Sequence, residues 1–440
     1  MDLIRKTKLG KVEGFSDGTV NRWFGIPYGL PPVGERRFKR SAEAESWEGV
    51  KKCLKMSPRP YDFLDGMMKK MGKGTNPYSE DCLYINVWTP SETVPSDSLP
   101  VFVWIYGGAN HTGEASDPGY DLTSFAKNGI VAVNFNYRVG PLGFYDFSRL
   151  DPSFDTNCAL SDMLLALKWV KENIKNFGGD PSRVTICGES AGGTAVYTLL
   201  STPASKGLFK RAIAMSGLVD NIDYPRVHDL NNKLYLDALG IKEDEVYKLR
   251  QLTPEELQKG SYAMMQNNAS YPGILLTGPV IDGDLLPEKP WEALAHGSAE
   301  GIDCIFGTCK EEGTLFRPLK MEVMDWGQVE TMLRNSGRLD KLDEFKKNYG
   351  SLKEKAKALV PLLVPLFVSA FRIAGDLAMA MEARCYHGGS GRTRMHQMKM
   401  AKGDAVAFAV MVFYLALVIL SRNLTFFMDP QAARAFLLSL

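Results

Sequence analysis

Long runs of basic residues are missing from this 440-residue chain, and so is an excess of either charge. Its 52 Lys and Arg face 51 Asp and Glu, a formal net charge of +1. So even a balance exerts no general pull on nucleic acid or on anionic membranes, and a nucleic-acid-binding role is set aside. Histidine is scarce, at five residues. The seven cysteines (Cys53, Cys82, Cys158, Cys187, Cys304, Cys309 and Cys385) are an odd, scattered set without the spacing of a metal site. Cys304 and Cys309, which flank an expected strand end, do not make one, so no metal is expected. The first ten residues, Met1 to Gly10, contain no apolar core and no cleavage signal for export. The expectation is a cytoplasmic protein with reduced thiols, in which the sequons at Asn110, Asn268 and Asn423 are irrelevant. Internal repeats and low-complexity linkers are also missing, which favours one domain over residues 1–440.

What the chain does contain is Val184-Thr185-Ile186-Cys187-Gly188-Glu189-Ser190-Ala191-Gly192-Gly193. An apolar β-branched run enters Gly-x-Ser-x-Gly, and small residues suited to the opening of a helix follow. This is the sequence form of a nucleophile elbow, a serine held on a strained turn between strand and helix. Gly188 and Gly192 fit positions where strand and helix come too close for a Cβ. The turn lifts the Ser190 hydroxyl clear of the backbone and aims the Ala191 amide, at the positive end of the helix, toward any oxygen attacked beside it.

From about residue 83 to 220 short apolar runs alternate with loops and helical stretches. Strands are expected at Leu83–Trp88, Val101–Tyr106, Ile130–Asn134 and Val184–Cys187, with another at Gly301–Thr308. Between them, Cys158 to Phe177 carries Leu160, Leu164, Leu167, Val170 and Ile174 at helical spacing and stops at Gly178-Gly179-Asp180-Pro181. The grammar is that of an α/β protein with a buried, mostly parallel sheet. Residues 225–275 are charged and helical in pattern, as an insertion or cap over the sheet would be. In the tail, Ala358–Phe371 and Ala405–Ser421 are strongly apolar, and the second has no charge over seventeen positions. That is just short of a membrane span. A core helix in a soluble protein is the expectation, and a membrane anchor the alternative.

Several blocks together resemble the type-B carboxylesterase/lipase family, the cholinesterase-like α/β-hydrolases. They are Glu80-Asp81-Cys82-Leu83-Tyr84-Ile85-Asn86-Val87, Asn136-Tyr137-Arg138-Val139-Gly140-Pro141-Leu142-Gly143-Phe144, Phe177-Gly178-Gly179-Asp180-Pro181, Gly188-Glu189-Ser190-Ala191-Gly192-Gly193 and Gly207-Leu208-Phe209. The resemblance runs from about residue 9 to 316 and is poor beyond 350. It implies an α/β-hydrolase fold, a doubly wound sheet with helices on both faces and its site at the carboxyl ends of the strands. It also implies hydrolysis of carboxylic esters through a serine acyl-enzyme, without a cofactor.

By that resemblance Ser190 is the nucleophile, and the amides of Gly108, Ala109 and Ala191 form the oxyanion hole. Ala109 stands where the family has a third glycine. Glu312, directly before Gly313, is selected over Glu311 as the acid. The chain order Ser, acid, His rules out His111, His228 and His296 and leaves His387 and His396. His396 is the assignment made here, although Gln397-Met398-Lys399-Met400-Ala401 departs from the segment the family places after its histidine. The alternatives stay open: His387, or no competent histidine and a non-catalytic interaction protein. The substrates expected are small to medium uncharged esters. A choline-ester specialist is not expected, because the loop from Tyr61 to Ser79 has no tryptophan to stack on a quaternary ammonium.

Overall fold

Apolar runs that strand geometry buries on both faces lie at the centre of the molecule. Val131–Phe135 is buried at all five positions, as a strand covered on both sides must be. The computed structural model describes residues 3–61, 77–219, 225–267, 278–312, 326–335 and 339–349. All of them belong to the first of two units of the chain, residues 1–352. The expectations for one domain over 1–440, for Ala358–Phe371 and for Ala405–Ser421 reach outside the described residues. Among those residues no helix is long and apolar enough to cross a membrane.

The strands are β1 (Ile4–Lys6), β2 (Lys11–Glu13), β3 (Phe15–Ser16), β4 (Val20–Pro27), β5 (Val50–Lys52), β6 (Tyr84–Pro90), β7 (Leu99–Ile105), β8 (Val131–Phe135), β9 (Gly179–Glu189), β10 (Arg211–Met215) and β11 (Asp303–Gly307). They form a small sheet, β1-β2-β5, and a large one in the order β11-β10-β9-β7-β8-β6-β4-β3. From β11 to β8 the large sheet is parallel, and from β8 to β3 it is antiparallel. The helices in chain order are α1 (Thr123–Lys127), α2 (Pro141–Phe144), α3 (Cys158–Asn173), α4 (Ala191–Ser201), α5 (Pro225–Leu239), α6 (Pro254–Asn267), α7 (Pro290–Ala295), α8 (Trp326–Asn335) and α9 (Leu342–Tyr349). This is the α/β-hydrolase arrangement that the sequence blocks implied.

Most expected strands form within a residue or two of their expected bounds; β9 is longer, and β10, whose exposed and buried residues alternate, was not anticipated. The expected helix over Cys158–Phe177 is α-helical only to Asn173, and a 3-10 turn covers Ile174–Phe177. The Asn173 side chain donates to the Trp169 carbonyl (2.8 Å) and accepts from the Lys8 amide (2.6 Å). Such side-chain bonding competes with the helix ladder and tightens its last turn. The inward stripe of α3, with Leu160, Met163, Leu167 and Val170, joins the main core between helix and sheet. The 225–275 insertion packs less on the sheet than expected. Tyr235, Leu236, Val246, Leu249 and Leu257 build a second core with Phe38, Phe147 and Phe154.

Two buried ion pairs join these layers. Arg138, after β8, meets Asp162 of α3 through both Nε (2.9 Å) and Nη2 (2.7 Å), and its Nη1 donates to the Lys39 carbonyl (2.7 Å). Asp162 lies wholly out of solvent. Arg37 grips Glu80 with two bonds of 2.6 Å and donates to the carbonyl of Leu252 (2.6 Å), which ties the second core to the first. A charge left unpaired at such depth is costly. Asp162→Ala should therefore cost about 3–5 kcal/mol, read as a lower urea midpoint at unchanged slope.

Candidate active site

Strand register decides which loops meet. Ile105 of β7 pairs with Gly188 of β9, Gly188 with Ala214 of β10, and Ala214 with Phe306 of β11. Two residues beyond that row, at the carboxyl ends of the parallel strands, stand Gly107, Ser190, Ser216 and Thr308. Ser190 has φ +57° and ψ −123° and heads α4. The left-handed region is costly for a serine, on the order of 1–3 kcal/mol, and persists only where the surroundings enforce it. Here the Ser190 amide donates to the Met215 carbonyl (2.8 Å), and its carbonyl accepts from the Thr194 amide (2.9 Å).

Glycines make room for this turn. A Cβ on Gly188 would lie 2.3 Å from the Gly192 carbonyl oxygen, and one on Gly192 would lie 2.2 Å from that of Ile105. On Gly107 it would come within 2.4 Å of the Glu189 carbonyl oxygen and 3.1 Å of the Ser190 Cβ. The Gly-Gly loop and the elbow are therefore in direct contact. Ser190, which heads α4 at Ala191, thus lies against Gly107, the residue before Gly108. Ala109 adopts φ +54° after Gly108 at φ +130°; alanine tolerates this angle for about 1 kcal/mol and keeps its amide. Because α4 begins at Ala191, the amides of its first turn have no partner within the helix and carry its positive dipole end. The arrangement can set a serine hydroxyl beside clustered N–H donors, the requirement for stabilising an oxyanion.

Side chains that the sequence reading missed hold the Gly-Gly loop. Tyr106 and Tyr137 stack with centroids 4.2 Å apart. Each hydroxyl donates to the other's backbone carbonyl, Tyr106 to Tyr137 at 2.8 Å and Tyr137 to Tyr106 at 2.6 Å. This clamp fixes the ends of β7 and β8 where the loop leaves. Asn136 accepts from the Ala115 amide (2.8 Å), and Asn134 donates to the Ala115 carbonyl (2.8 Å), which anchors the loop's far side. The Asn136-Tyr137-Arg138 block named two of these residues without their bonds, and it includes neither Tyr106 nor Asn134.

The acid side is different in character. Glu312 follows β11 at the expected end of the sheet, but it is exposed. Its Oε1 accepts from the Cys309 amide of its own loop (2.7 Å). Glu311 beside it is also exposed. Every residue of β11 is exposed, Ile305 at 65% and Phe306 at 47%. His387 and His396 lie outside the described residues. The described histidines are three, and the amide of one, His111, donates to the Gly108 carbonyl (3.0 Å). His111 follows the Gly-Gly loop, His296 pairs with Glu288 on the surface (2.9 Å), and His228 sits buried in α5.

The comparisons with known proteins agree with this geometry. The model of the carboxylesterase family matches residues 1–360. The chain belongs to the carboxylesterase family. This carboxylesterase-family chain is 40% identical to the para-nitrobenzyl esterase of Bacillus subtilis (strain 168) over 317 residues, 71% of this chain and 63% of that protein. It is 36% identical to mouse (Mus musculus) cholinesterase over 333 residues, 72% of this chain and 54% of that one. The chain thus spans less than two thirds of the length of these relatives. A solved thermophilic PNB esterase superposes with a TM-score of 0.74 at 36% identity, covering 82% of this chain and 75% of that one. A second family model, a cobalt transport protein, matches residues 345–396. That stretch includes His387 and His396, whereas the carboxylesterase match ends before both.

Burial pushes both the His228 and the His111 imidazole down to about 4. A histidine whose folded pKa is depressed contributes its full stability above the unfolded value near 6.5 and loses it as pH falls toward 4. For His228, which is 1% exposed, the loss approaches about 3 kcal/mol. Thermal midpoints measured from pH 7 down to pH 4 should fall, and His228→Gln should flatten that fall.

Proposed function

We propose that this chain is a serine carboxylesterase acting on small to medium uncharged carboxylic esters. The observation that carries the reading is Ser190, held at φ +57° at the head of α4 with Gly107 packed against it. The Ser190 hydroxyl attacks the ester carbonyl carbon. Its proton passes to an imidazole, and the amides of Gly108, Ala109 and Ala191 take up the oxyanion. Collapse of the tetrahedral intermediate breaks the bond to the alcohol, which leaves with the proton returned by the imidazolium. Water then gives its proton to the imidazole and attacks the acyl-serine, and collapse breaks the acyl–Oγ bond, releasing the carboxylic acid as the imidazolium returns the proton to Ser190. His396 is the imidazole and Glu312 its orienting acid in this reading, and both roles rest on the sequence. No step draws on a cofactor.

The preference for uncharged esters has its own support. The aromatic residues that flank the loop between Tyr61 and Ser79 are already engaged. Tyr78 stacks on Tyr61 (5.4 Å, 19°) and carries the Arg59 guanidinium 3.7 Å from its ring centroid. A quaternary ammonium would have to displace a resident cation. The cytoplasmic placement is supported by the free thiols of Cys53, Cys82, Cys158, Cys187, Cys304 and Cys309, and by the buried side chain of the Asn110 sequon.

Two outcomes are expected. Ser190→Ala should remove hydrolysis of an aryl acetate, a loss on the order of 10⁴- to 10⁶-fold, while the circular dichroism spectrum is unchanged. An organophosphonate should label the parent chain stoichiometrically at Ser190 and leave the variant unlabelled; equal hydrolysis by both proteins defeats the nucleophile assignment. The ratio of kcat/KM for a choline ester to that for its neutral isostere should lie near one, and a large preference for the cation contradicts the reading of Tyr78.

A further inference from the structure

The even net charge hides a local excess. Residues 1–60 hold 13 Lys and Arg against 7 Asp and Glu, +6 in a chain whose total is +1. The small sheet concentrates part of it. Antiparallel pairing sets Lys6 of β1 directly opposite Lys11 of β2, and parallel pairing sets Lys11 beside Val50 of β5. The alternation of exposed and buried residues turns Lys6 and Lys11 outward and Arg5 and Val12 inward. Side chains directly opposite in such a ladder stand about 5 Å apart at Cβ, and like charges there repel.

Among the described residues Lys6 and Lys11 have no ion pair, whereas their neighbour Lys8 has two, to Glu43 (2.6 Å) and Glu172 (3.3 Å). Of the acids nearby, Glu43 is committed to Lys8, and Glu13 stands in the ladder between Ile4 and Lys52. Glu45 and Glu48 are exposed on the segment before β5. The turn after α3 is tied to the same edge, where Asn176 donates to the Lys6 carbonyl (2.8 Å). Lys6, Lys8 and Lys11 line an open groove of about 290 Å³ with Trp47 and Val50. The Trp47 ring is itself occupied. It packs against Gly10, where a Cβ would meet its Nε1 at 2.4 Å, and Lys51 Nζ lies 4.6 Å from its centroid. The groove therefore offers charge and no spare stacking face.

We propose that this groove is an anion site, with Lys6 and Lys11 as its paired cations, for a multiply charged phosphate group. The site is separate from Ser190 and does not depend on the hydrolytic reading. A phosphate bridging the two ammonium groups turns a repulsive cross-strand pair into two charge-assisted contacts. The anion arises either from a free polyphosphate or from a lipid headgroup, and the two sources are separable by experiment.

The full chain is titrated calorimetrically with sodium tripolyphosphate and floated with phosphatidylcholine vesicles with and without phosphatidylglycerol. Saturable tripolyphosphate binding is expected, weakened by added salt and at least tenfold weaker in Lys11→Glu. The same substitution makes Lys6 and residue 11 an attractive pair, so the thermal midpoint should rise as anion affinity falls. Flotation that requires phosphatidylglycerol and is lost in Lys11→Glu, without tripolyphosphate binding, places the phosphate on a lipid and still supports the site. Equal binding by the parent and Lys11→Glu, or no charge-dependent binding of either probe, overturns it. Should Lys11→Glu fail to fold, Lys6→Gln provides the same comparison by removing one charge.

Discussion

Backbone crowding at the carboxyl end of the parallel strands is the constraint on which the rest of the site depends. The end of β7, the elbow after β9 and the first turn of α4 converge until Gly107, Gly188 and Gly192 have no room for a Cβ. On the other side Gly193 meets Gly217, where a Cβ would lie 2.4 Å from a carbonyl carbon. Close approach of this kind brings Ser190 beside Gly107 without any long side chain between them. It also forces Ser190 into the left-handed region, and the Met215 carbonyl holds it there by accepting its amide. Strain at one residue is sustained because many contacts around it resist relaxation.

A serine beside backbone donors is useful only if the donors stay in place, since preorganised dipoles need not reorient during reaction. The structure supplies that rigidity with buried polar groups. The Tyr106–Tyr137 clamp fixes the start of the Gly-Gly loop, and Asn134 and Asn136 fix its far side at Ala115. Arg138, adjacent to Tyr137, is in turn locked to Asp162 of α3. The Asn-Tyr-Arg block is thus one mechanical unit: its first residue holds the loop, its second the strand ends and its third the helix layer. Loss of any member would strand a buried donor or acceptor, which costs more than the bond itself contributes.

Burial grades across the sheet and divides the site in two. β8 is buried throughout and β11 exposed throughout, so Ser190 and the Gly107-Gly108 loop rest on the well-packed side. Glu312 stands on the exposed side with its carboxylate closing its own loop. The charge distribution is uneven in a comparable way. A total near zero coexists with a cluster of lysines on the small sheet, because net charge sums over faces that a ligand never meets together.

Much of this was legible in the residues. Alternating and continuous apolar runs located most of the central strands, since side chains that must be buried on both faces leave little choice of residue. Gly-x-Ser-x-Gly located the elbow because only glycine fits there, whereas Gly108 was picked out only through the family resemblance. Glu312 was singled out only through its family context, and His387 and His396 lie outside the described residues. Other features were decided by the tertiary structure alone. β10 was not anticipated, and the shortening of α3 at Asn173 depended on Lys8, far away in the chain. The Tyr106–Tyr137 clamp, the Asn134–Asn136 anchor and the Lys6–Lys11 opposition each join residues whose relation is fixed by strand register. The sequence by itself determined which segments could be strands, helices and tight turns, because those choices rest on local sterics and on the solvation of each residue. Which distant residues then touch was decided by the fold, because pairing register and close packing are properties of segments brought together.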